Sequence, residues 1–132
     1  MAERPEYRAM FETEDPVEML RIGAGITIAL FRRMEPLLPT IRAAVSADAT
    51  VAESWRAYYG DARYDGIATG MARLAELDVL RPGVDVTRAT DIMWTVLSVE
   101  TYQALVIARG WPPDEYEAWV VDTLRASLLS PG

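Results

Sequence analysis

The chain has 132 residues, room for one domain that can bury roughly two-thirds of its unfolded surface without help from a disulfide or a metal. Hydrophobic residues make up 51% of it, which argues against disorder, and 20 acidic against 13 basic residues give a net charge of −7, a field that repels nucleic-acid phosphate. Cys, His, Lys and Asn are all missing, which closes off Cys/His zinc sites, thiol nucleophiles, Ser–His–Asp relays and Schiff-base lysines, and makes a reducing cytoplasm the expected compartment.

Residues 1–15 form a charged lead-in without the apolar run of a signal peptide. Within it, Arg4 to Glu12 fits a short helix with Pro5 in the first turn. Glu14–Asp15–Pro16 reads as a stop and restart, Asp15 being a good N-cap and Pro16 suiting the first helical position. The helix that follows runs to about Met34. Glu18, Arg21, Gly25 and Arg32 give it a thin polar stripe, while Met19, Leu20, Ile22, Ile26, Leu30 and Phe31 cover most of the rest, as expected of a central bundle helix. Its apolar run, Ile22–Phe31, is about half a bilayer crossing, so no membrane partner is expected.

Pro36 and Pro39 open a shorter helix through about Ala47, carrying Leu37, Leu38, Ile41 and Val45. Asp48 or Thr50 then caps a long helix reaching Leu77, with Val51, Trp55, Tyr58 or Tyr59, Ala62, Ile67, Met71 and Leu74 inward. Gly60, Gly66 and Gly70 sit inside it at about 1 kcal/mol each relative to alanine, which marks a bend, a close contact or room left for something else. Arg81–Pro82–Gly83 is a turn, and Asp85 caps a helix expected to run unbroken to Arg109 and to stop at Gly110. After the corner Trp111–Pro112–Pro113, the last helix carries the cleanest stripe: Tyr116, Trp119, Val120, Thr123, Leu124, Ser127 and Leu128. The sum is an all-α fold, a five- or six-helix antiparallel bundle closed by a C-terminal two-helix hairpin.

One string stands out in the second half. Leu80–Arg81–Pro82–Gly83–Val84–Asp85 leads into Ala89–Thr90–Asp91–Ile92–Met93–Trp94, followed by Arg109–Gly110–Trp111–Pro112–Pro113 and Tyr116–Glu117–Ala118–Trp119. This resembles the C-terminal regulatory domain of TetR-type (tetracycline-repressor-like) transcriptional regulators. The likeness is specific from Leu80 onward and looser before it, where Asp15–Pro16 and Ala52 to Trp55 match. Two features depart from the pattern. Pro112 stands where the family usually has Ser, so a capping oxygen is lost. No segment supplies the Arg-rich recognition helix of a DNA-binding head, so direct nucleic-acid contact is not expected.

The resemblance implies one domain over 1–132, with pocket helices in 16–78, dimerisation helices in 85–130, a small and largely apolar effector, and a homodimer built on the closing hairpin. The dimer candidates are Trp111, Tyr116, Trp119, Val120, Thr123, Leu124, Ser127 and Leu128; the plain alternative is packing within one chain. The ligand candidates are Met19, Ile22, Ile26, Leu30, Trp55, Tyr58, Tyr59, Tyr64, Met71, Met93 and Leu97, against the alternative of an ordinary core. Thr27 and Thr69 add hydroxyls, and Gly23, Gly25, Gly66 and Gly70 thin the filling where a cavity would open. Capping and solvation account for Glu12–Glu14–Asp15 and Asp114–Glu115–Glu117, so no catalysis, metal or cofactor is expected. A rival function is a ligand-free homodimerising module that forms mixed dimers with a full-length regulator.

Overall fold

Short-range signals set most of the helix boundaries. The structure is a computed structural model describing residues 5–131; the expectation for Arg4 lies outside them. Helix α1 spans Pro5–Glu12 and α2 spans Pro16–Met34. Between them the Asp15 carboxylate accepts hydrogen bonds from the Val17 and Glu18 amides at 3.0 and 3.3 Å, satisfying two donors that the first helical turn leaves open. A 3-10 turn, Glu35–Leu37, passes into α3 at Leu38–Ala47. Asp48 is the next N-cap, accepting from Thr50 and Val51, and Thr50 is already inside the helix.

From there α4 (Ala49–Trp55), a π-helical turn (Arg56–Ala62) and α5 (Arg63–Glu76) continue as one rod. The rod ends in a Schellman motif: the Val79 amide donates to the Leu74 carbonyl and the Asp78 amide to the Ala75 carbonyl. Asp78 holds the left-handed conformation usually given to glycine there, at φ 58°. The Arg81–Gly83 turn is of type II, closed by the Val84 amide on the Arg81 carbonyl with Gly83 at φ 85°.

The second half departs from expectation at one place. The expected helix from Asp85 to Arg109 is broken. Helix α6 (Val86–Val96) ends where Leu97 leaves helical geometry, and α7 (Val99–Tyr102) restarts after Ser98, running into a second π-helical turn, Gln103–Ala108. The Ser98 hydroxyl accepts from the Thr101 amide and donates to the Thr101 hydroxyl, which in turn donates to the Thr95 carbonyl. The restart signal was present in the sequence as Ser98 followed by Glu100 in the new first turn. Helix α8 (Pro113–Leu128) starts without a side-chain cap at Pro112.

The result is an all-α bundle. Helix α2 packs against α1 and α8, α5 against α6, and α6 against α8. The core holds Met19, Leu20, Ala24, Ile28 and Phe31 of α2, Met71 and Leu74 of α5, Ala89 and Met93 of α6, and Tyr116, Val120, Leu124 and Leu128 of α8. One end is latched: an isolated antiparallel bridge joins Leu80 to Leu129, with the Arg81 amide on the Leu128 carbonyl and the Ser130 amide on the Val79 carbonyl. No helix among the described residues is long and apolar enough to cross a membrane.

Candidate functional site

The π-helical turn in the rod and the break at Leu97–Ser98 lie against each other. A π turn widens the helix, and such turns recur at functional sites because they leave backbone groups and side chains out of the regular ladder. Here the turn lines up Trp55, Tyr59 and Arg63. The Trp55 and Tyr59 rings stack at 4.9 Å, and the Arg63 guanidinium sits 5.2 Å from the Tyr59 ring centroid. Trp94 of α6 lies 4.7 Å from the same guanidinium and Phe31 of α2 lies 5.9 Å from it. Tyr64 closes on Trp94 edge-on, its hydroxyl donating to Asp91 at 2.7 Å.

All three guanidinium nitrogens of Arg63 are closed off from solvent, and none has a hydrogen-bond partner. Burial depresses the arginine's affinity for its proton, yet arginine starts so high that it stays charged. Each unanswered donor in such a place costs about 1–3 kcal/mol, and a guanidinium has five. Three aromatic rings within 6 Å of the guanidinium carbon offset part of that cost, at about 1–2 kcal/mol each.

The helix break contributes the other polar groups. The freed Val99 amide donates to the Tyr59 hydroxyl at 2.8 Å, and that hydroxyl approaches the Glu100 carboxylate at 3.5 Å. The buried Tyr116 hydroxyl reaches the Ser98 carbonyl at 3.5 Å, a long contact. Burial raises the proton affinity of both phenols, keeping Tyr59 and Tyr116 neutral at physiological pH. A cleft of about 280 Å³ is lined by Leu38, Ile41, Arg42, Val45 and Ser46 of α3 together with Trp55, Val99 and Glu100. Cleft and cation cage thus meet at Trp55, which lines the cleft and stacks on Tyr59, and at the start of α7.

No protein-family model, curated protein or solved structure matches this chain. The site therefore rests on its own geometry.

Of the ligand candidates, Trp55 lines the cleft, and Tyr59 and Tyr64 belong to the cage around Arg63 and Trp94. Met19, Met71, Met93 and Leu97 are instead spent in the closed core, where packing on all sides leaves a ligand no surface. Ile22, Ile26 and Leu30 are half-buried along α2, away from the cleft. Tyr58 is 71% exposed and is corrected to a surface residue. Tyr58 and Tyr59 are successive residues of the π-helical turn and point in different directions, so Tyr59 is half-buried while Tyr58 faces solvent.

The glycines are also reassigned. A Cβ on Gly23 would meet the Met10 sulfur at 3.3 Å, a close helix contact, while Gly66 and Gly70 face open space. Thr27 and Thr69 return their hydroxyls to the carbonyls of Gly23 and Asp65 in their own helices.

The dimer candidates divide by face. Tyr116, Val120, Leu124 and Leu128 are completely buried inside their own chain and offer nothing to a partner. Trp111, Trp119, Thr123 and Ser127 remain half-open, the two indoles meeting edge-on at 6.2 Å. An aromatic series, Phe31–Tyr102–Tyr116–Trp119–Trp111, links this flank to the Arg63 cage at centroid spacings of 5.6–6.2 Å. Among the described residues, no group of three His, Cys, Asp or Glu side chains is placed to hold a metal ion.

The residue missed by sequence reasoning is Arg63. Its only trace in the sequence is the i, i+4, i+8 spacing of Trp55, Tyr59 and Arg63, which continues an aromatic face into a cation.

Proposed function

We propose that this chain is the effector-binding and dimerisation domain of a TetR-type regulator, a cytoplasmic protein that acts by binding and not by catalysis. One observation carries the reading: an open cleft and a buried cation with no hydrogen-bond partner both border a helix break. A small, mostly apolar guest in the cleft touches α3, α4 and the start of α7 at once, so it favours whichever spacing of these helices fits it. The half-open Trp111, Trp119, Thr123 and Ser127 support pairing with a second copy. The aromatic series between the cage and that flank is a packed route along which a change in spacing is felt.

Binding and assembly are separately measurable. A panel of hydrophobic compounds screened by thermal shift and confirmed by calorimetry should raise the unfolding midpoint with a subset of members, and Trp55→Ala should weaken those hits. Sedimentation should give a dimer that Trp119→Asp converts to a monomer. A lone subunit that binds no member of the panel overturns the proposal. A dimer that binds none favours the ligand-free dimerising module.

A further inference from the structure

The Arg63 guanidinium has hydrogen-bonding capacity that its own surroundings leave unused. Its central carbon lies within 6 Å of the Trp94, Tyr59 and Phe31 ring centroids, while its buried N–H donors have no hydrogen-bond partner. A planar rim of paired N–H groups matches a carboxylate, which accepts two parallel hydrogen bonds in the same plane. The protein has already taken this cation out of water, so an incoming anion meets a preorganised, dehydrated partner.

We propose, building on the effector-binding reading, that the ligand is an apolar molecule ending in a single carboxylate and that Arg63 is the residue that receives it. The single charge follows from the surroundings. Only one unpaired cation is present in the cage, Glu100 stands at the wall between cleft and cage, and the chain as a whole carries −7. Glu100 already acts on Arg63 at a distance, so a doubly charged phosphoryl group finds too little positive charge there. The apolar part of the ligand fills the cleft over Leu38, Ile41, Val45 and Trp55. Its head reaches the cage when Tyr59 swings off Trp55 and its hydroxyl donates to the ligand carboxylate instead of to Glu100. Arg42, the cation that lines the cleft itself, is a weaker anchor: it is exposed and already bonded to the Gln103 side chain.

The test pairs acids with alcohols of equal length: hexanoate with hexanol and decanoate with decanol, titrated against the fluorescence of the native chain. The expected result is that the longer acid binds about tenfold or more tightly than its alcohol. In Arg63→Gln that preference collapses towards one while the alcohol still binds, and in Arg63→Lys it is partly kept. Should Arg63→Gln fail to fold by circular dichroism, the acid-to-alcohol ratio in the native chain and in Arg63→Lys decides. Equal binding of acid and alcohol overturns the carboxylate while leaving the effector site intact. Binding of neither overturns both. A preference abolished by Arg42→Gln and untouched by Arg63→Gln overturns the assignment to Arg63.

Discussion

The two ends of the bundle solve opposite problems. At the latched end, Leu74, Ala89, Leu124 and Leu128 are wholly buried, the Schellman motif answers the carbonyls of α5, and the Leu80–Leu129 bridge ties the loop to the end of α8. At the cage end, two π turns, a broken helix, long contacts from Tyr59 and Tyr116 and an unanswered guanidinium replace that order. The first end is spent on stability. The second leaves polar groups without hydrogen-bond partners, a cost that a ligand would offset under the proposed effector-binding reading.

Substitutions at the two ends should therefore act with opposite sign. Leu124→Ala removes a fully buried side chain from the latched end and should lower stability by about 2–5 kcal/mol in urea unfolding, the largest effect expected. Arg63→Met, at the cage end, should raise stability by about 1–4 kcal/mol in the same assay, because a stranded buried charge gives way to an apolar side chain of similar reach. A loss of stability in Arg63→Met would show that the ring contacts outweigh the missing hydrogen bonds and would remove the contrast.

Ser98→Ala tests the helix break. Losing the cap on Thr101 should cost about 0.5–2 kcal/mol, and it should loosen α7 more than α8, visible as faster amide exchange at Thr101 and Tyr102 than at Val120.

A pH titration sharpens the comparison further. Tyr102 is pushed up to about 12, first by burial and then by its hydrogen bond to Glu35 at 2.5 Å. A phenol in the unfolded chain loses its proton near pH 10, so the folded state holds the proton more tightly. The stabilisation is then complete below pH 10 and drains away between about pH 10 and 12. Tyr102→Phe should flatten that part of the stability curve. The smallest effect is expected at the latched end, where Asp78→Gly relieves the left-handed backbone at φ 58° and should gain about 0.5 kcal/mol in thermal unfolding.

Much of this architecture was legible beforehand. The caps at Asp15 and Asp85, the Arg81–Gly83 turn and the final stripe were placed from the sequence because each depends on groups within about four residues of one another. The break at Ser98 was missed although its signal was equally local, since the apolar pattern continues across it and hides the cap. The candidate site was harder. Residue type points to Trp55, Tyr59 and Tyr64, which lie at the cleft and cage, but equally to the core methionines, which tight packing closes off. Nothing in a stripe of apolar residues says whether the neighbour is another helix of the same chain, a second copy or a guest.

What the sequence alone decided is the all-α class and nearly every start and stop, because capping, proline geometry and helical period act over a single turn. Only the tertiary structure decided that Tyr116 and Leu124 face inward while Trp119 stays half-open, and that Arg63 is stranded among rings. Phe31, Arg63 and Trp94 come from three separate helices, and their meeting depends on how whole helices pack rather than on any local rule.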